Sequence, residues 1–192
     1  MNLERRTNDK RTEEIWVRRI GADEEGLPVC FATSFRIGGE RLDLRSFART
    51  LPEGIAICNP DLIAGIKHVE TILIQTREYW KRNERIAKNG SIEILMRLTG
   101  RSQISEAVEA SGVNEMRSVA MFGLVSSEAV VLNMVERFSS AFETAVIDHH
   151  LLELSPSKSK RLKKFHRLPG SISDRELQIA LGEKSVLLIF SR

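Results

Sequence analysis

Residues 28–35 constrain the fold of this chain more than any other segment. Val29, Phe31, Thr33 and Phe35 alternate with Cys30, Ala32 and Ser34, so both faces of the segment are small or apolar. Alternation without a polar side suits a buried strand, which needs cover on both faces. Trp16 to Ile20 precede it across a Gly- and acid-rich turn at Gly21 to Gly26. Two strands joined by a short polar loop read as a hairpin. With 192 residues, 42% of them hydrophobic, the chain is long enough for one domain with a sizeable core.

Downstream segments supply the cover. Arg41 to Thr50, with Leu42, Leu44, Phe47 and Ala48 apolar, reads as a short helix stopped before Pro52. Ile55 to Cys58 leads into Asn59-Pro60-Asp61, which joins a good N-cap, a proline at the first helical position and an acid at the positive end of the dipole. Leu62, Ile66, Val69, Leu73 and Trp80 then fall on one stripe, predicting a long helix that continues to Lys88 and stops at Asn89-Gly90. A break near Trp80 also fits the pattern.

Ser91 to Leu98 reads two ways. Ile92, Ile94, Met96 and Leu98 alternate as in a strand, while Ile92, Leu95, Met96 and Thr99 match a helix face. Eight residues between turn signals favour strand. Ser102 caps a short helix ended by Gly112, and Arg117 to Val125 is a strand. Ser126-Ser127-Glu128 opens a helix whose apolar face carries Val130, Val131, Met134, Val135 and Phe138. Ser155-Pro156 suits the start of a basic helix, broken by Pro169-Gly170. Ser173-x-x-Glu176 is a capping box opening a helix with Leu177, Ala180 and Leu181 on one side, and Val186 to Phe190 is a short apolar strand candidate. This order predicts an α/β mixed (α+β) fold: one domain over residues 13–192, with a small, partly antiparallel sheet covered by helices. Residues 1–12 read as a flexible N-terminal arm.

Absent motifs exclude several chemistries. Gly182-Glu183-Lys184-Ser185 lacks the spacing of a phosphate-binding loop and would put a carboxylate among phosphates. Gly38-Gly39 lacks the third glycine and following helix of a dinucleotide fingerprint. No nucleophile elbow or H-E-x-x-H pair occurs. Cys30 and Cys58, with no paired Cys or His nearby, read as buried reduced thiols rather than as a disulfide or zinc ligands. The charged N-terminus is no secretory signal and no apolar run spans a membrane, which points to a cytoplasmic protein. Asp148-His149-His150 matches the signature of metal-dependent phosphoesterases, but no D-x-D partner precedes it. The expectation there is a polar turn, or partners of a phosphate or an acid. His68 is expected on the polar side of the long helix and His166 in the basic run. The chain is read as having no catalytic centre, cofactor or metal.

Charge is where the sequence is informative. Lys and Arg exceed Asp and Glu by 29 to 26, so distribution matters more than the net +3. One candidate surface follows the long helix and the next element: Lys81, Arg82, Arg85, Lys88, Arg97 and Arg101. The other is the run Lys158, Lys160, Arg161, Lys163, Lys164 and Arg167, with Phe165 as a possible stacking ring. Cations on one face neutralise phosphates, and an aromatic adds stacking on exposed bases. The alternative for both is a solvated helix surface.

Asn59-Pro60, Ser91-Ile92-Glu93-Ile94-Leu95-Met96, Leu98-Thr99-Gly100-Arg101-Ser102-Gln103-Ile104-Ser105-Glu106-Ala107, Gly112-Val113 and the closing Gly182-Glu183-Lys184-Ser185-Val186-Leu187-Leu188 occur in that order. Together they resemble the family of the PRPK-binding protein (TPRKB), the non-catalytic KEOPS subunit, and particularly its archaeal members. The resemblance covers roughly residues 28 to 190. Ser102 departs from it, standing where a second cation often follows Gly-Arg, and the run at 158–167 is heavier in charge. The resemblance implies an accessory role in placing threonylcarbamoyladenosine beside the anticodon of tRNA. It implies binding to the small atypical kinase of that complex, which works as an ATPase, and to the single-stranded CCA 3′ end of tRNA. The six cations from Lys81 to Arg101 are then the RNA-binding candidates. Two apolar helix faces are candidates for the kinase, Ile104 with Val108 and Leu177 with Leu181. The rival readings are a stand-alone RNA-binding module, a purely structural adaptor whose Lys158 to Arg167 run meets an acidic protein surface, and a phosphoesterase using Asp148, His149 and His150.

Overall fold

The alternating segment forms the middle of a sheet. In a computed structural model that describes residues 15–20, 29–39, 42–114 and 116–191, the strands are β1 (Trp16–Arg19), β2 (Val29–Ile37), β3 (Ile55–Cys58), β4 (Ser118–Val125) and β5 (Ala145–Ile147). The arm assigned to residues 1–12 and the hairpin turn at 21–26 lie outside the described residues. Every strand pairing is antiparallel. The order is β1-β2-β4-β3, with β5 taking the stretch of β2 from Phe35 to Ile37, beyond the part that pairs β1.

Helices cover both faces. They are α1 (Arg45–Ala48), α2 (Ile66–Lys81), α3 (Gly90–Thr99), α4 (Ile104–Ser111), α5 (Glu128–Ala141), α6 (Pro156–Phe165) and α7 (Asp174–Leu187). Val29, Phe31, Phe35 and Ile37 turn to one side, where Val131, Met134, Val135 and Phe138 of α5 close over them. The rings of Phe35 and Phe138 lie 4.4 Å apart. Cys30 and Ala32 turn to the other side, under Val69, Ile72 and Leu73 of α2 and Ile94, Leu95 and Leu98 of α3. A further layer forms where Leu162 of α6 meets Leu177 and Leu181 of α7 over Ala64. This is the single α+β domain expected. Among the described residues no helix is long and apolar enough to cross a membrane.

Three expectations are corrected. The Asn59 side chain does cap, accepting from Asp61 N–H at 2.9 Å, but it caps only a 3-10 turn over Pro60–Leu62. Gly65, at φ 96°, separates that turn from α2, and Asn83 at φ 57° lies just past its end, so no helix continues to Lys88. Ser91 to Leu98 is helix, not strand. The Asn89 side chain accepts from Ile92 N–H at 3.1 Å, so Asn89-Gly90 starts α3 rather than stopping α2. Glycine is required there because a Cβ on Gly90 would sit 2.4 Å from the Trp80 ring. Finally, 186–190 is no strand: α7 runs to Leu187 and a 3-10 turn follows over Leu188–Ser191.

Candidate nucleic-acid interface

Three segments distant in sequence meet at the C-terminal end of α3. Gly100 ends that helix in the left-handed conformation at φ 65°, which lets Arg101 N–H turn back to Met96 O at 3.2 Å. Arg101 then lies over the ring of Phe165, the last residue of α6, at 5.4 Å. His166 follows against the same turn. Its ring is 4.8 Å from Phe165, edge to face, and a Cβ on Gly100 would stand 3.6 Å from His166 Nδ1. Burial, then Lys184 of α7 and Arg101, push the His166 imidazole down to about 4, so it is neutral at pH 7. Ser102, Gln103 and Ile104 are exposed, and Gln103 gives α4 no side-chain cap. The first amides of α4 are left for solvent or an anion.

The basic run divides by what each cation touches. Lys158 is buried, donating to Leu151 O at 2.8 Å and Glu153 O at 3.1 Å, and burial draws its ammonium down to about 8. Arg161 pairs with Asp61 at 2.8 Å, and Lys163 donates to Ile172 O at 2.6 Å. Lys160, Lys164 and Arg167 are exposed: the first two lie four apart on one side of α6, and Arg167, at φ 53°, follows past its end. Phe165 is half-buried and packs against the core beneath the sheet, so only part of its ring is open.

The six predicted RNA cations are not one surface. Lys81, Arg82, Arg85 and Lys88 are exposed, on the end of α2 and the irregular segment after it. Arg85 stacks on Trp80 at 4.9 Å and pairs with Glu53 at 3.0 Å. Arg101 sits at the far end of α3, about 15 Å away at 1.5 Å per helical residue. Arg97 leaves the set altogether. Its side chain is fully buried, bonded to Glu93 and to Ser185 O, and reaches no solvent.

The predicted kinase faces also divide. Ile104 is 53% exposed and Val108 half-buried, so that face remains open to a partner. Leu177 and Leu181 are core, packed on Ala64 and Leu162. The opposite side of α7 carries the exposed apolar residues the sequence reasoning missed. Ile179 and Leu187 are 53% and 58% exposed, and Phe190 in the closing 3-10 turn is 79% exposed. Ile179 and Val186 border a groove of about 490 Å³ between α7 and α2, floored where Gly182 approaches Thr71. The spacing of Ile179 and Val186, seven apart, was the available signal: a second apolar stripe on the same helix, with Phe190 following in the 3-10 turn.

Other titratable groups fall inside the fold. His68 is buried rather than polar-facing: its Nδ1 accepts from Ala64 N–H at 3.1 Å, and burial pushes it down to about 3. Cys30 and Cys58 are free and buried, and burial raises both thiols, Cys30 to about 12. Asp148 is held by Arg36, whose Nη2 and Nε lie 2.6 and 3.1 Å from Asp148 Oδ2. No family model and no curated protein matches this chain.

Proposed function

We propose that the protein is a non-catalytic, cytoplasmic accessory subunit of a KEOPS complex, binding its small atypical kinase and the CCA 3′ end of tRNA. The observation that carries this reading is Arg101 lying over Phe165. The strings that resemble the TPRKB family run directly into that corner, through Leu98-Thr99-Gly100-Arg101. A guanidinium on a partly open ring, with exposed Lys164 and Arg167 flanking Phe165 in the chain and α4 starting just after Arg101, offers phosphate neutralisation and a stacking surface together. Single-stranded ends, with unstacked bases, suit such a corner better than a duplex does. The apolar side of α7 supplies a separate place for the kinase.

Binding of fluorescently labelled tRNA, intact and lacking CCA, over a salt series tests the reading. Intact tRNA should bind more tightly than the shortened form. Arg101→Ala with Lys164→Ala and Arg167→Ala should weaken binding and flatten the salt slope by about 0.7 per lost single-strand phosphate contact. Equal binding of both tRNAs, or an unchanged slope in the triple variant, overturns the RNA side of the proposal. The same substitutions at Lys81, Arg82 and Lys88 serve as the comparison surface.

A further inference from the structure

His149, His150 and Glu153 stand together on one short turn, and their donor atoms all lie within 4.8 Å of one another. His150 Nδ1 is 3.1 Å from Glu153 Oε1, and the two imidazole rings are 4.2 Å apart. The geometry points to a binding site for a borderline divalent ion of the Zn²⁺ or Ni²⁺ class, held by these three side chains.

The turn is built before any ion arrives. Asp148 N–H donates to Ser34 O at 2.9 Å, and the Ser34 hydroxyl donates to Asp148 O at 2.6 Å, fixing its start to β2. The buried Lys158 ammonium holds its far end through Leu151 O and Glu153 O. Leu152 is buried in the core under the sheet. The backbone carrying the three donors is therefore anchored at both ends and in the middle, while His149, His150 and Glu153 point outward. Little of the ordering cost of assembling a site remains to be met on binding.

Donor chemistry sets the class of ion. Two imidazoles and one carboxylate suit zinc, nickel and their neighbours, whereas magnesium and calcium take oxygen ligands. Zinc binds nitrogen and oxygen at about 2.0–2.2 Å, so tetrahedral donors stand roughly 3.4 Å apart. Exposed side chains reach that spacing by small rotations. A fourth position stays open for water. Asp148 is outside the set, and its Oδ2 is held by Arg36.

The rest of the chain does not compete with imidazole or thiolate donors. Of its four histidines, His68 and His166 are buried, and both cysteines are buried. Stoichiometric binding of a borderline ion to the folded protein therefore reports on this turn.

Isothermal titration of the tag-free chain with Zn²⁺, Ni²⁺ and Mg²⁺ is the test. Zn²⁺ and Ni²⁺ should bind one per chain, and Mg²⁺ should show no comparable binding. His150→Gln and Glu153→Gln, both at exposed positions, should each weaken Zn²⁺ about tenfold or more with the thermal melt of the ion-free protein unchanged. Absence of saturable Zn²⁺ or Ni²⁺ binding overturns the site. So does binding unaltered by the His149→Gln, His150→Gln double change, or Mg²⁺ binding as tightly as Zn²⁺.

Discussion

Arg97 reaches back one turn of α3 to Glu93, with Nε and Nη2 at 3.1 and 2.8 Å from the same carboxylate oxygen, and neither side chain touches solvent. The other Glu93 oxygen accepts from Trp80 Nε1 at 2.8 Å, and the remaining Arg97 nitrogen donates to Ser185 O at 3.2 Å. The guanidinium also lies over the Tyr79 ring at 4.6 Å. One ion pair thus ties α2, α3 and α7 together. Removing one partner leaves an uncompensated buried charge, so Arg97→Met should cost about 3–5 kcal/mol in urea unfolding. Glu93→Gln with Arg97→Met should cost less than the sum of the single changes. A loss under about 1 kcal/mol for Arg97→Met would show that the pair does not hold the three helices.

Two buried imidazoles make stability fall in mild acid. Burial first depresses both, His68 to about 3 with His166 and Lys158 adding to it, and His166 to about 4 with Lys184 and Arg101 adding to it. In the unfolded chain both return to about 6.5. The unfolded state then binds more protons between those values. Stability is full above about pH 6.5 and is lost as pH falls through that window toward the folded values. At pH 5 the loss is about 2 kcal/mol per imidazole, from about 1.4 kcal/mol per pH unit. Urea midpoints at pH 7 and 5 measure it. His68→Asn, which keeps an acceptor near Ala64 N–H, should remove roughly half of the pH dependence; an undiminished dependence would assign it to other groups.

Backbone contact at one glycine sets how β3 joins the sheet. A Cβ on Gly123 would stand 2.2 Å from Gly54 O and 2.8 Å from Ile55 Cα, both main-chain atoms that no rotamer can move aside. The same Gly54 carbonyl accepts from Leu124 N–H at 2.9 Å. Gly123→Ala must therefore pry β3 from β4, and about 3 kcal/mol of stability should go with it. Gly170→Ala is the comparison, since nothing lies within 4 Å of its added Cβ. Thermal melts in which the two variants match would mean that β3 moves freely.

What the sequence made legible follows from how local each signal is. β2 was readable because both of its parities are apolar. The Ser173 and Glu176 capping box was readable because it is closed within four residues, at 3.2 and 2.6 Å. α3 was misread because Ile92 to Leu98 is apolar at both periods, and its buried set, Ile94, Leu95 and Leu98, settles the period only once the sheet is present. The spacing of Glu93 and Arg97, i and i+4, was the overlooked clue. β5 is three residues long and pairs β2 at long range, so no local pattern announces it. Arg101 and Phe165 are far apart in sequence, and only the packing of α6 on the fold brings them together.

The same limit applies to α7, where sequence shows two apolar stripes and packing decides which is core. Leu181 belongs to the stripe that meets Ala64, Leu162 and Leu177. Leu181→Glu should unfold the protein, because it removes a buried leucine, worth about 2–5 kcal/mol, and places a carboxylate in its stead. Ile179 and Leu187 belong to the exposed stripe. Ile179→Glu and Leu187→Glu should change stability by no more than about 0.5 kcal/mol. Under the proposed function these two variants should stay folded yet fail to co-elute with the kinase on size exclusion, while Ile104→Glu reports on the alternative face of α4. Kinase binding retained by the α7 pair and lost in Ile104→Glu would move the docking surface to α4, and retention in all three would remove the kinase from both.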